Sequence, residues 1–367
     1  MHVHLSHPYF WPHVLRGAER EVHDVGAGLV SRGHRVDLVT TQPRGLTSHA
    51  DVDGIRVRYL RETAPGLLQR RGWRPEECFA LPAAAAALAS RADVTLAFHY
   101  PDAAGATRAR RRHPLALKLT GTVPRDRVGD GQVVTRLIRR ALDGADEVWV
   151  NSRYAVESMA GWDREMRVVP APLDDERFVP AAHRADRPTV LCAAAPEDPR
   201  KRVVDLVDGW PAVLDAVPEA QLVLAGPCSD AGRRALLDRL PDAARASVAF
   251  AGVLTGDDLV AAYGRAWALA MPSVHEALGL VTLEALACGT PVAGARSGAT
   301  PELLAAPGTG ALFEPLDPSS CAEAVVAALA LAAEPATVER CRASVAPYRL
   351  ATVLEQVEHG LRRISGA

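Results

Sequence analysis

The sequence predicts a mostly parallel, doubly wound α/β fold arranged as two successive units. Three observations carry that prediction. Short apolar runs alternate with helical patterns through both halves of the chain. A segment broken by prolines, Val168-Val169-Pro170-Ala171-Pro172-Leu173-Asp174, interrupts regular structure near the middle. The length, 367 residues, is enough for two domains of ordinary size.

In the first half, His2 to Ser6 and Arg35 to Thr40 read as strands. Between them a helix is expected from about Glu19 to Ser31, with Val22, Val25, Leu29 and Val30 on one face and Gly33 as its stop. Ile55 to Tyr59, Val94 to Phe98, Leu115 to Leu119 and Glu147 to Val150 continue the strands. Past Pro172 they recur at Thr189 to Cys192, Gln221 to Ala225, Val248 to Phe250 and Ala266 to Met271. This spacing places domains at 1–172 and 173–349, with an amphipathic helix over Leu350 to Ile364 inside a C-terminal segment 350–367.

Two local motifs have ordinary explanations. Gly26-Ala27-Gly28 lies within a helical pattern rather than after a strand, which makes it a poor dinucleotide fingerprint. Asp51-Val52-Asp53 has the look of a metal-binding pair, but Asp53-Gly54 before a strand is better suited to a hairpin turn.

Composition narrows the function. A formal net charge of −2 gives no general attraction to nucleic acid. The apolar run Phe79 to Ala89 is too short to cross a bilayer, and the chain's start enters a strand without the basic and apolar regions of a signal peptide, so a cytoplasmic location is expected. Six scattered cysteines suggest neither a zinc site nor a disulfide framework. Basic runs at Arg108, Arg110, Arg111 and Arg112 and at Arg136, Arg139 and Arg140 read as solvated faces or as contacts for anionic lipid or acceptor phosphate. Only two lysines occur, Lys118 and Lys201, against a large excess of arginine. A compact ammonium is therefore of interest at both places.

The most informative stretch is 275–292. Trp267 to Met271 reads as a buried strand ending at Pro272, which puts Glu276 in the loop at its C-terminal end. Leu280, Leu283, Leu286 and Ala287 then recur at helical spacing, giving a helix from about Gly279 to Cys288 stopped by Gly289 and Pro291. The N-terminus of that helix, with Ala277, Leu278, Gly279 and Leu280, attracts a diphosphate through backbone N–H groups and the helix dipole. Glu284, one turn inside, is suited to a ribose diol, and Glu276 to the sugar. Lys201, flanked by Arg200 and Arg202 after the first strand of the second half, supplies cationic charge for a leaving diphosphate.

Glu276 through Glu284 resembles the Glu-x7-Glu motif of the family-4 retaining glycosyltransferases, and most of the chain follows that family's order. The resemblance implies the GT-B fold: two Rossmann-like doubly wound domains facing an interdomain cleft, acceptor-side first and nucleotide-sugar-binding second, with the last helix returning to the first domain. It implies a hexosyltransferase that moves a sugar from a nucleotide-sugar donor to a small-molecule or lipid-linked acceptor hydroxyl, with no metal and no cofactor beyond the co-substrate. Peripheral membrane contact is left open.

By the same resemblance Lys201 matches the family's donor-site lysine, whereas Pro196 stands where the family has an arginine, a loss that Arg200 or Arg202 would have to offset. His99, in Phe98-His99-Tyr100-Pro101, matches a histidine beside the transferred sugar, so His99, Glu276 and Lys201 form the expected catalytic set. Gly17, after Arg16, matches a glycine-rich loop at the donor phosphates. Lys118 and Thr120 stand near a second family histidine that this sequence lacks; with His7, Tyr9 and Trp11 they are the expected acceptor residues. An epimerase or phosphorylase on the same architecture, and a nucleotide-sugar-binding protein without catalysis, stay open as alternatives.

Overall fold

The structure, a computed structural model, describes residues 1–10, 13–14, 16–42, 47–61, 73–129 and 132–366. The chain divides into two compact units, Met1–Pro172 with Leu350–Ala367, and Leu173–Arg349.

The first unit is built on β1 (His2–Ser6), β2 (Arg35–Gln42), β3 (Ser48–Val52), β4 (Ile55–Arg61), β5 (Val94–Ala97), β6 (Leu115–Leu119), β7 (Glu147–Val150) and β8 (Arg167–Val168). Their order is β3-β4-β2-β1-β5-β6-β7-β8. All neighbours are parallel except β3 and β4. That pair turns at Asp53 and Gly54, both at positive φ (51° and 80°), with the Gly54 N–H donating to Asp51 Oδ1 at 2.9 Å. Consecutive positive φ values are what a tight hairpin turn requires, so the Asp-x-Asp pattern is a turn.

The helix Gly17–Ser31 covers one face of this sheet and begins two residues before the expected Glu19. Its glycines have a packing cause. A Cβ on Gly26 would lie 2.7 Å from Ile55, and one on Gly28 would lie 2.4 Å from Leu354. Leu354 belongs to the final helix, Leu350–Ser365, whose Val353, Val357 and Leu361 are fully buried in the same core as Val3, Leu5, Val25 and Leu29. Each such side chain contributes roughly 1.5–3 kcal/mol by leaving water.

The second unit holds β9 (Thr189–Ala193), β10 (Gln221–Ala225), β11 (Val248–Gly252), β12 (Ala268–Met271), β13 (Val292–Ala295) and β14 (Gly310–Phe313), all parallel, in the order β11-β10-β9-β12-β13-β14. The last two were not anticipated. Val292-Ala293-Gly294-Ala295 is short and poor in β-branched residues, and Gly308-Thr309-Gly310 reads as a turn. Only Gly308, at φ 74°, has positive φ. Gly310 starts β14, and a Cβ there would lie 2.0 Å from the Val292 carbonyl oxygen.

Lys118, expected at the acceptor, lies elsewhere. It is fully buried on β6, with its ammonium 2.8 Å from Glu21 Oε1, 2.7 Å from Asn151 Oδ1 and 2.5 Å from the Val169 carbonyl. Asn151 Nδ2 in turn donates to Glu21 Oε2 at 3.2 Å. Burial pushes the Lys118 pKa down while Glu21 opposes the shift. A side chain enclosed this way ties the first helix to the strands and is closed to a substrate.

Lys118→Met leaves the Glu21 carboxylate buried without its cation and should cost about 3–5 kcal/mol in urea unfolding, with Glu21→Gln in the same chain restoring most of it. A loss below about 1 kcal/mol would contradict the ion pair. A second prediction concerns Glu358 on the final helix, which sits 2.8 Å from Arg362, 3.2 Å from Arg32 and 3.1 Å from His34. Hydrogen bonds from Arg362 first, then from Arg32 and His34, outweigh burial and hold its carboxyl at about 2, below the ordinary 4.5. The stability it adds is complete above the unfolded value and is lost as pH falls through the folded one. Glu358→Gln should therefore melt below wild type at neutral pH, with the gap closing between pH 4.5 and about 2.

Candidate active site

In an open parallel sheet, loops leave the carboxyl ends of the strands in opposite directions where the strand order reverses, and ligands bind in the resulting crevice. Each unit has one such point. In the first it falls between β1 and β5, in the second between β9 and β12.

At the first, His7 follows β1 and His99 follows β5, with ring centroids 6.3 Å apart. His7 is buried, and its Nδ1 lies 2.6 Å from the Tyr9 carbonyl, so Nδ1 carries the proton and donates. Arg16, paired with Glu19 at 2.8 Å, lies over the Tyr9 ring at 5.4 Å. His99 stands immediately before the helix Tyr100–Ala106 in extended conformation. Its turn is fastened by Asp102, whose Oδ2 accepts the N–H groups of Phe98 at 3.0 Å and His99 at 3.3 Å. Asp102 is fully buried, and burial pushes its carboxyl well above the usual range. Burial first, then His7, Arg16 and Arg74, depress the His99 imidazole to about 3. It is neutral throughout the physiological range, and its buried Nδ1 has no hydrogen-bond partner among the described residues. Gly17 is the first residue of its helix, Thr120 is half-buried just past β6, and Trp11 lies outside the described residues.

At the second, the loop after β9 carries Lys201 and the loop after β12 carries Glu276. The two meet, with Lys201 Nζ 2.5 Å from Glu276 Oε1 and both side chains 24% exposed. Neighbouring arginines do not join them. Arg200 pairs with Asp198 at 2.7 Å and Arg202 with Asp205 at 2.6 Å. Each arginine that was to offset Pro196 is therefore held by a nearby aspartate, Arg200 by one of its own loop and Arg202 by one in the first turn of the helix Val203–Ala216.

Backbone contacts fix the Glu276 loop on two sides. The Val274 N–H donates to the Arg200 carbonyl at 2.9 Å, the His275 N–H to Ser297 Oγ at 3.1 Å, and the Ala299 N–H to the Glu276 carbonyl at 3.0 Å. Gly298, at φ 61°, lies flat on this loop; a Cβ there would stand 2.5 Å from Glu276 O and 2.6 Å from Glu276 N. In the sequence alone, Gly298-Ala299-Thr300-Pro301-Glu302 fits the family resemblance and also reads as an ordinary turn.

Past Ala277 and the buried Leu278, Gly279 at φ 102° turns the chain into the helix Leu280–Ala287, so the expected loop and helix are both present. Glu284 is only 1% exposed, and its Oε2 accepts the hydroxyl of the buried Tyr263 at 2.8 Å. The carboxylate is thus anchored from the helix Gly256–Arg265, a partner the sequence did not suggest.

Comparison with known proteins accords with this geometry. A model described as "Glycosyl transferase 4-like domain" matches residues 16–173, and one described as "Glycosyl transferases group 1" matches residues 187–330. The chain belongs to the family-4 glycosyltransferases. D-inositol 3-phosphate glycosyltransferase of Corynebacterium jeikeium (strain K411) is 33% identical over 208 residues, which is 51% of this chain and 50% of that protein. The chain spans about half the length, or less, of the curated relatives it matches. Among solved structures, sucrose-phosphate synthase from Thermosynechococcus elongatus has a TM-score of 0.81 at 21% identity, covering 100% of this chain and 99% of that one. Anabaena HepE in complex with UDP has a TM-score of 0.74 at 17% identity, covering 99% of each chain. These likenesses establish the GT-B fold for this family member.

Gly298→Ala tests the loop. The positive φ alone costs about 1–3 kcal/mol, and the backbone clash adds to it. The melting temperature should fall by at least about 3 °C. An unchanged melting temperature would show that the loop tolerates a side chain there.

Proposed function

We propose that the protein transfers a sugar from a nucleotide-sugar donor to an acceptor hydroxyl with retention at the anomeric carbon, using no metal. The observation that carries this reading is the Lys201–Glu276 pair at the β9/β12 reversal, beside the N-terminus of the helix Leu280–Ala287. The HepE structure is a complex with UDP, which supports a nucleotide ligand on this fold.

On this reading the backbone from Ala277 to Leu280 receives the diphosphate and Glu276 accepts hydroxyls of the sugar. A carboxylate so near a diphosphate would repel it. The Lys201 ammonium removes that repulsion and then gains in strength as negative charge grows on the departing diphosphate. Glu284, buried and held by Tyr263, is assigned to the ribose, whose hydroxyls would have to reach its carboxylate past the helix's first turn. Arg200 and Arg202, each held by an aspartate, receive no direct part in phosphate binding, whereas the Gly17 backbone is assigned to the donor phosphates.

In the first unit, the neutral His99 presents a polar edge to the transferred sugar, and His7, Tyr9, Trp11 and Thr120 are assigned to the acceptor, a small molecule or a lipid-linked sugar or alcohol. No residue is assigned as a covalent nucleophile, so attack proceeds on the face from which the diphosphate departs. Among the described residues no single helix is long and apolar enough to span a membrane. The free cysteines fit the reducing cytoplasm, where we place the reaction.

Lys201→Ala should lower kcat by roughly a hundredfold or more, with Lys201→Arg recovering part of the loss, while Arg200→Ala stays near wild type. The measurement is acceptor-dependent release of nucleoside diphosphate from a panel of nucleotide sugars, with EDTA present throughout. Near-normal turnover in Lys201→Ala together with a dead Arg200→Ala would move the phosphate contact to the arginine. Turnover that requires added metal would overturn the metal-free mechanism.

A further inference from the structure

The helix Ala80–Ala89 lies on the surface of the first unit and has no polar side chain, its sequence being Ala-Leu-Pro-Ala-Ala-Ala-Ala-Ala-Leu-Ala. Its inner face, Ala80, Ala83, Ala84 and Ala87, is buried. Small residues bring it close to the helix Tyr100–Ala106: a Cβ on Gly105 would stand 2.2 Å from the Ala80 carbonyl oxygen. The opposite face is therefore fixed outward. Leu81 is 56% exposed and Leu88 36%, with exposed Ala85 between them on the same stripe. A surface helix of a water-soluble domain ordinarily turns charged or polar residues to this side.

Cationic groups surround the C-terminal end of the stripe. The segment after the helix Tyr100–Ala106 packs there, with the Arg112 guanidinium donating to the Leu88 carbonyl and His113 Nε2 3.1 Å from the Ala87 carbonyl. Arg91, Arg108 and Arg111 are exposed around this junction. The nearby acids are engaged: Asp146 by Arg110 at 2.7 Å, and Asp93 by the His2 N–H at 2.7 Å. A locally positive, apolar surface thus stands on a chain whose net charge is −2.

We propose that this face docks the protein on an anionic lipid bilayer, with Leu81, Ala85 and Leu88 entering the boundary between headgroups and acyl chains and Arg91, Arg108, Arg111 and Arg112 meeting lipid phosphates. Apolar insertion combined with attraction to anionic headgroups is the physics of interfacial helices. A second copy of the chain fits less well, because a two-fold contact through Leu88 would bring two sets of arginines together. A soluble polyanion would leave the leucines uncovered. The inference is independent of the sugar chemistry assigned above.

The test is co-sedimentation of the full chain with vesicles of phosphatidylcholine alone or mixed with phosphatidylglycerol, at low and high salt. Binding should require phosphatidylglycerol and weaken with salt. Leu81→Gln with Leu88→Gln, and separately Arg108→Glu with Arg111→Glu, should each reduce it by at least about tenfold. Arg187→Glu with Arg234→Glu, at exposed positions of the second unit, should leave it unchanged. Circular dichroism checks that each variant is folded, and the lipid and salt dependence of the wild type remains decisive if one is not. Equal binding to both vesicle types, binding that survives the leucine changes, or self-association in light scattering that the leucine changes abolish would each overturn the proposal.

Discussion

The constraint on which the rest depends is the direction of parallel strands. Once β9 and β12 lie side by side and their following loops leave toward opposite flanks, a crevice must open at their carboxyl ends, and the side chains of those two loops must face each other across it. Lys201 and Glu276 occupy those loops and meet at 2.5 Å. The same reversal in the other sheet sets His7 beside His99. Neither pair is near in sequence; the winding of the sheet creates both.

Holding such loops requires close backbone approach, and small residues make it possible. Gly298 lies against Glu276, Gly310 against Val292, Gly28 against Leu354 and Gly105 against Ala80. At Gly298 the requirement is double, since the backbone there is also left-handed. The alanine and glycine content of this chain is thus tied to its architecture: elements approach where a larger side chain would hold them apart. The outward face of Ala80–Ala89 is the exception, because its leucines Leu81 and Leu88 stay exposed.

The two lysines show how one residue type serves opposite ends. Lys118 sits mid-sheet, enclosed by Glu21, Asn151 and a carbonyl, where an unpaired charge would be costly, so its whole hydrogen-bonding capacity is spent on structure. Lys201 stands in the loop past the carboxyl end of β9, with one carboxylate partner and part of its surface in solvent, which leaves donors for a ligand. Depth in the sheet separates them. Buried carboxyls also serve structure: Asp102 and Glu284 are both nearly inaccessible, yet one oxygen of each accepts from a group that fixes a turn or a helix of the crevice wall.

The sequence by itself determined the strand series, the Asp53-Gly54 hairpin and the loop and helix from Glu276 to Ala287, because alternation, positive-φ turn residues and helical periodicity are local and survive in any context. Residue resemblance reached the family, since the Glu-x7-Glu spacing is fixed within one loop and one helix turn. Tertiary structure decided what local pattern cannot carry. It sent Lys118 inward rather than to an acceptor, set Tyr263 on Glu284 and added β13 and β14 from segments with weak strand propensity. In every one of these the deciding partner lies on another element, and burial there sets the energy of a charge or the space for a side chain more strongly than the residue's own neighbours in the chain do.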